Sequence, residues 1–335
     1  MLGLLALQAL GAQAQETTRV LSRESVVARY ADAQSRFIDV DGVNVHYKDQ
    51  GSGPALLLVH GTLGDLSDWD GWAALLAPHY RVLRLDLPSF GLTGPLPSAN
   101  YAVDRMLALI DGFMDRVGAE RFAIAGISYG GLVSFRYAAT RTERVTALIL
   151  ANSAGIEYGR GPATAASAAA AGKPAASAAS GANAPPTVAH NVFWDPVVSA
   201  DDVAVNLRHM VVDEALITPA MVQRKLAFLN TRGRGEESVA GRRLYERGDP
   251  VRVLGHVRAP VLVLWGADNR ALNPGTADDF VAALKNSCAA QRVMVAGAGH
   301  LLIVDQPLQS AQAALRFLDH PPAACAGAAV AAGAR

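Results

Sequence analysis

Gly126-Ile127-Ser128-Tyr129-Gly130 joins an apolar run, Arg121-Phe122-Ala123-Ile124-Ala125, to a helix-compatible run from Gly131 to Ala139. A serine between a strand and a helix, with glycines two positions either side, sits on a turn too sharp for bulkier neighbours. That turn needs a strand ending inside a sheet and a helix packing back onto it. The rest of the chain repeats the alternation. Strands are predicted at 55–59, 81–85, 121–126, 146–151, 260–265 and 291–295, with helical segments between them. Arg36 to Lys48 alternates about Asp41-Gly42 and reads as an antiparallel hairpin opening the sheet. The expected fold class is α/β, a doubly wound and mostly parallel sheet whose site lies at the carboxyl ends of its strands.

Upstream, Pro54 to Val59 reads as a buried parallel strand running into His60-Gly61-Thr62-Leu63-Gly64. A strand ending in His-Gly aims backbone N–H groups at the sheet's carboxyl edge. In acyl-transfer chemistry such donors stabilise the oxyanion of a tetrahedral intermediate. The N–H groups of Thr62 and Tyr129 are the candidates, with Leu63 as the alternative to Thr62.

His60-Gly61-Thr62, Trp69-Asp70-Gly71-Trp72, Asp86-Leu87-Pro88-Ser89-Phe90-Gly91, the turn at Ser128, Leu264-Trp265-Gly266 and Gly297-Ala298-Gly299-His300 fall in one order along the chain. In that order the sequence resembles the α/β-hydrolase superfamily, and within it the lid-bearing serine hydrolases that run through esterases, carbon–carbon bond hydrolases and perhydrolases. The resemblance covers nearly the whole chain and implies a helical lid inserted after the sixth strand. Haloalkane dehalogenases and epoxide hydrolases look similar but place aspartate at the elbow, which Ser128 argues against.

The resemblance implies Ser128 as nucleophile and His300 as base, following the superfamily's order of serine, acid, histidine. The acid departs from the pattern. The family turn runs Trp-Gly-x-x-Asp-Arg, whereas Trp265-Gly266-Ala267-Asp268-Asn269-Arg270 has asparagine at the usual acid position and aspartate one place early. The other position known for the acid resembles Ala151-Asn152-Ser153, again without a carboxylate. Three arrangements stay open: Asp268 reaches the imidazole through a rearranged turn, Asn269 orients a weaker dyad, or the site is impaired. Asp86 and Asp305 are expected to bond loop backbone. Trp69 and Trp72 are expected to pack beneath the His-Gly loop. Ser89 stands where the family commonly has glycine.

The core is expected over 30–155 and 250–318, and the lid over 156–249. Within the lid, 163–189 is almost wholly Ala, Ser, Gly and Pro, too poor in apolar bulk to offset chain entropy, and is expected to be flexible. Phe193, Trp194, Met210, Leu216, Met221, Phe228 and Tyr245 are read mainly as lid core, with a minority facing an apolar acyl or aryl pocket. Residues 1–15 form a candidate signal peptide or truncated anchor: an apolar run before Ala12-Gln13-Ala14 with no preceding basic residue, too short to span a bilayer. Export is one expectation and a cytoplasmic location the other. Residues 319–335 read as a flexible tail, which a Cys288–Cys325 bridge would tie down; two unrelated thiols are the alternative.

The 335 residues carry 30 basic and 30 acidic side chains, so no nucleic-acid footprint is visible. Arg232, Arg234, Arg242 and Arg243 are read as a solvated face. No metal site is expected, because neither paired cysteines nor His-x-x-x-His spacing occurs, and the expected chemistry needs no cofactor. The expected function is cleavage of a carboxylic ester or related acyl bond of a small apolar or aromatic substrate through an acyl-serine. The alternatives are carbon–carbon bond hydrolysis of a dienoic ketone and a non-catalytic binding protein with a decayed triad.

Overall fold

The computed structural model describes residues 20–157, 159, 190–193, 195, 197–231, 248–320 and 325. Eight strands form one sheet: β1 (Arg36–Val40), β2 (Val43–Gln50), β3 (Ala55–Val59), β4 (Arg81–Leu85), β5 (Phe122–Ile127), β6 (Val145–Ala151), β7 (Val261–Gly266) and β8 (Ala290–Val295). Their order is β1-β2-β4-β3-β5-β6-β7-β8. β1 pairs antiparallel with β2 and β2 with β4, and all later pairings are parallel. The opening hairpin turns at Asp41 and Gly42, both with positive φ (53° and 83°), the conformation that Asp-Gly favours.

Strands β3, β5, β6 and β7 are buried on both faces, which is why they read as unbroken apolar runs. Helices cover both sides: α1 (Arg23–Tyr30), α2 (Asp70–Leu76), α3 (Val103–Arg116), α4 (Tyr129–Thr140), α5 (Ala200–Met210), α6 (Pro219–Leu229), α7 (Pro250–Leu254), α8 (Thr276–Ala283), α9 (Leu302–Asp305) and α10 (Pro307–Asp319). One core layer joins α3, α4 and α8 to the sheet through Phe113, Phe135, Trp265 and Phe280. The opposite layer carries Trp69, Trp72, Phe317 and the inner faces of α5 and α6.

The helices α5 and α6 belong to the stretch inserted after β6. Ser199 and Asp202 form a capping box that starts α5, and Thr218 with Pro219 starts α6. Val203, Leu207, Met210 and Leu226 bury against the core, while Phe228 meets Val26 of α1. Trp194, Tyr245, the four arginines 232, 234, 242 and 243, and the segments 1–15 and 163–189 lie outside the described residues. Cys288 and Cys325 are bridged, with Cα atoms 5.3 Å apart. Among the described residues, no helix is long and apolar enough to cross a membrane.

Candidate active site

Ser128 occupies the turn from β5 into α4 with φ 53° and ψ −119°, a conformation that costs a non-glycine residue roughly 1–3 kcal/mol. The glycines around it permit the turn. A Cβ on Gly126 would stand 2.2 Å from the Gly130 carbonyl oxygen, and one on Gly130 would stand 2.2 Å from that of Val59. The elbow therefore nests against the end of β3, where the His-Gly loop begins.

That loop approaches the serine closely. A Cβ on Gly61 would meet Ser128 Cβ at 3.0 Å and its Oγ at 3.7 Å. Gly64 N–H donates to Gly61 O at 3.0 Å, closing a turn over Thr62 and Leu63. Neither of those two N–H groups bonds to another described residue. His60 holds the loop from beneath: Leu87 N–H donates to its Nε2 at 3.0 Å, so the ring proton sits on Nδ1, 2.7 Å from Gly61 O. Trp69 and Trp72 pack edge to face at 5.0 Å and are fully buried there. Tyr129 opens α4, its phenol pushed up by burial.

His300 lies in the turn after β8 and is 4% exposed. Burial, assisted by neighbouring His209, pulls its imidazole down to about 4. Asn152, after β6, fixes the turn it sits in. Its amide nitrogen donates to Gly299 O at 2.9 Å and to His300 O at 2.7 Å, while its oxygen accepts from Gly266 N–H at 2.9 Å. The same short segment grips the serine, since Ser128 N–H donates to Ala151 O at 3.2 Å and Ala154 N–H to Ser128 O at 2.9 Å. Ser128 and His300 are thus anchored from one loop at one edge of the sheet. The two side chains are not hydrogen-bonded to each other, as often holds before a substrate draws such groups together.

The expectation for Asp268 needs correction. Its carboxylate is exposed and accepts from Gly297 N–H at 3.0 Å. The buried side chain facing the imidazole is Asn269, whose Nδ2 lies 3.4 Å from His300 Nδ1. A tight turn cannot present two consecutive residues to one point, and here the second points inward. Asn269 Oδ1 is already occupied by Ala271 N–H and Leu272 N–H, both at 3.0 Å. The amide NH2 is therefore what meets the ring, and Nδ1 must accept. The proton of neutral His300 then sits on Nε2.

A model of the alpha/beta hydrolase fold matches residues 54–179, which span β3 to β6 and the elbow. The eight-stranded order and the antiparallel start extend the same architecture across the chain. The chain has the α/β-hydrolase fold. Among curated relatives, the 2-hydroxy-6-oxo-6-(2'-aminophenyl)hexa-2,4-dienoic acid hydrolase of Metapseudomonas resinovorans is 24% identical over 296 residues, covering 84% of this chain and 90% of that protein. Among solved structures, a membrane phospholipase A, a bacterial virulence factor, superposes with TM-score 0.69 at 25% identity, covering 95% of this chain and 97% of the other. A putative lipase from Acinetobacter baumannii AYE gives TM-score 0.68 at 22% identity, covering 89% and 96%.

Two features of this fold go beyond the sequence expectations. Asn152, at a position where the sequence lacks the expected acid, cross-links the turns after β6, β7 and β8; nothing in its local sequence marks that role. Lys225 and Arg224 on α6 meet Asp65 and Asp68 beside the His-Gly loop, and the pairs Asp65/Asp68 and Arg224/Lys225 were the visible signal. A cavity of about 350 Å³ opens beside that cluster, lined in part by Asp68, Met221, Lys225 and Ile303, but not by Ser128 or His300. Asp86 accepts from Leu66 N–H, Leu92 N–H and His46, and Asp305 from Gly299 N–H and Val212 N–H, both binding loop backbone. Ser89 takes φ 68°, a conformation that suits glycine. Among the described residues, no cluster of His, Cys, Asp and Glu is gathered for a metal ion.

Proposed function

We propose that the protein hydrolyses a carboxylic ester or related acyl bond through an acyl-Ser128 intermediate, with His300 as base and the N–H groups of Thr62 and Tyr129, or Leu63, receiving the oxyanion. The observation that carries this reading is the strained Ser128 elbow with the Gly61 loop packed against it. The hydroxyl attacks the acyl carbonyl as its proton passes to imidazole Nε2. The imidazolium then protonates the leaving group, and water repeats the sequence to release the acid.

Asn269 in place of a carboxylate sets the pace. Its amide favours the tautomer with the proton on Nε2, so only the minor tautomer can accept from Ser128. Replacing the acid by its amide costs a full triad about 10⁴-fold, while an intact oxyanion hole still leaves about 10³–10⁴-fold over water. The reading is accordingly a slow serine hydrolase.

A second reading, carbon–carbon bond hydrolysis of a dienoic ketone, is favoured by the relative from Metapseudomonas resinovorans, whose alignment spans both core and lid. A third, a binding protein that has lost catalysis, is favoured by Asn269. One set of measurements separates them: labelling of the full chain by a fluorophosphonate, with p-nitrophenyl esters of graded acyl length and a dienoic ketone as substrates. Labelling at Ser128 with ester turnover supports the proposal, and turnover of the ketone alone supports the second reading. An inert serine overturns both in favour of the third. The Cys288–Cys325 bridge supports export to an oxidising compartment.

A further inference from the structure

One lid lysine grips the His-Gly loop. Lys225 on α6 has 4% of its side chain exposed. Its ammonium donates to the Leu63 carbonyl at 3.1 Å and to Asp68 Oδ1 at 2.8 Å, and Asp65 Oδ2 stands 4.0 Å away. Arg224, one residue earlier, donates to Asp65 Oδ1 at 3.0 Å. Asp65 in turn accepts from Ser67 N–H at 3.0 Å, which caps the short 3-10 turn Leu66–Trp69. Lys225 thus holds both ends of the segment from Leu63 to Asp68, and Arg224 holds Asp65 between them.

The ammonium is present to donate at neutral pH. Burial pulls Lys225 down, but Asp68 and Asp65 outweigh it and hold the group above its ordinary value. A buried ion cluster is weak evidence for stability, because desolvation offsets much of the attraction. Its geometric consequence is firmer. The Leu63–Gly64 peptide is fixed at both ends, its N–H by Gly61 O at 3.0 Å and its C=O by Lys225. The N–H of Leu63 and that of Thr62 belong to the two preceding peptides, so this turn cannot rotate without releasing Lys225 or Gly61.

We infer that Lys225 is a positioning residue, coupling the docking of α6 to the orientation of the oxyanion donors at Thr62 and Leu63. The catalytic half of this inference rests on the serine-hydrolase reading. When α6 is seated the hole is preorganised; when α6 lifts, the Leu63 carbonyl loses its donor and the turn relaxes. The lid then regulates transition-state stabilisation as well as access.

The variants are Lys225→Met, and Lys225→Met with Asp68→Asn, the second removing the buried carboxylate that the first would leave unpaired. Three readouts apply to the full chain: kcat and KM on p-nitrophenyl butyrate, inhibition by phenylboronic acid, which forms a tetrahedral serine adduct, and amide exchange over residues 61–66. Both variants are expected to lose about ten- to a hundredfold in kcat with KM within about twofold, less than outright loss of a donor. Boronate inhibition should weaken by a similar factor, and exchange at Gly64 should quicken. Full kcat in the double variant would overturn the inference, since Lys225 would then serve only to neutralise Asp68. Unchanged exchange would overturn it whether or not the protein is active. A wild-type chain inert to fluorophosphonate overturns the hydrolase reading and the catalytic half with it, while the exchange arm still decides whether Lys225 fixes the loop.

Discussion

Two buried histidines of this chain have opposite surroundings. His46, on β2, places Nδ1 2.7 Å from Asp86 Oδ2 and Nε2 2.9 Å from Ser35 Oγ, a serine–histidine–aspartate chain of hydrogen bonds. His300 faces an amide and bonds no serine. Yet the second is the candidate base. Asp86 also accepts from Leu66 N–H and Leu92 N–H, so the first set pins the loops at 35, 66 and 92 to the sheet edge. No elbow strains Ser35: among non-glycine residues of positive φ, the group includes Ser128 and not Ser35. Hydrogen-bond connectivity alone therefore does not mark a catalytic serine; the turn that presents it and the N–H groups beside it do.

Giving His300 what His46 already has should produce the largest effect. In Asn269→Asp one carboxylate oxygen can keep the Ala271 and Leu272 N–H groups while the other accepts from Nδ1, restoring the tautomer a general base needs. We expect kcat on p-nitrophenyl butyrate to rise about a hundred- to ten-thousandfold. No rise would mean that a carboxylate at this position is irrelevant to turnover. Breaking the other histidine should act on folding instead. Asp86→Ala removes the acceptor of three buried bonds and should lower stability by about 3–5 kcal/mol in urea melts, with labelling per folded molecule retained. Loss of labelling without loss of stability would put Asp86 at the chemistry.

The smallest effect is a displaced pH limb. A base must be neutral to act, and the candidate, His300, lies below its ordinary 6.5, at about 4, through burial and then His209. The acid limb of kcat/KM should therefore fall only near pH 4, and Asn269→Asp should move it upward by stabilising the imidazolium. A wild-type limb near 6.5 would show an imidazole that is solvated or paired. The same shift bears on folding. The unfolded chain takes up the proton first, so this group's contribution to stability is present above pH 6.5 and is lost as pH falls towards about 4.

The sheet was legible because its signals are local. Apolar runs such as Leu56 to Val59 can be read only as buried strands, and β3 and β4 fall at the expected residues, the other parallel strands within one position. The elbow was legible for the same reason, since the glycine spacing states its own geometry. The acid turn was not. Whether Asp268 or Asn269 points inward depends on which carbonyls and N–H groups of residues 266–272 are already engaged, and no spacing encodes that. Asn152 and Lys225 were missed because their partners lie 114 or more residues away, at Gly266, Gly299 and Leu63. Helix α1 escaped notice likewise: Tyr30 packs edge to face on Phe228 of α6 at 5.3 Å, a neighbour far away along the chain.

The Cys288–Cys325 bridge encloses β8, the His300 turn and α10 within a span of 37 residues. A protease that cut the backbone once anywhere inside that ring would leave two fragments still joined through sulfur. The candidate base would stay tethered to the molecule after such a nick, and only reduction would set it free.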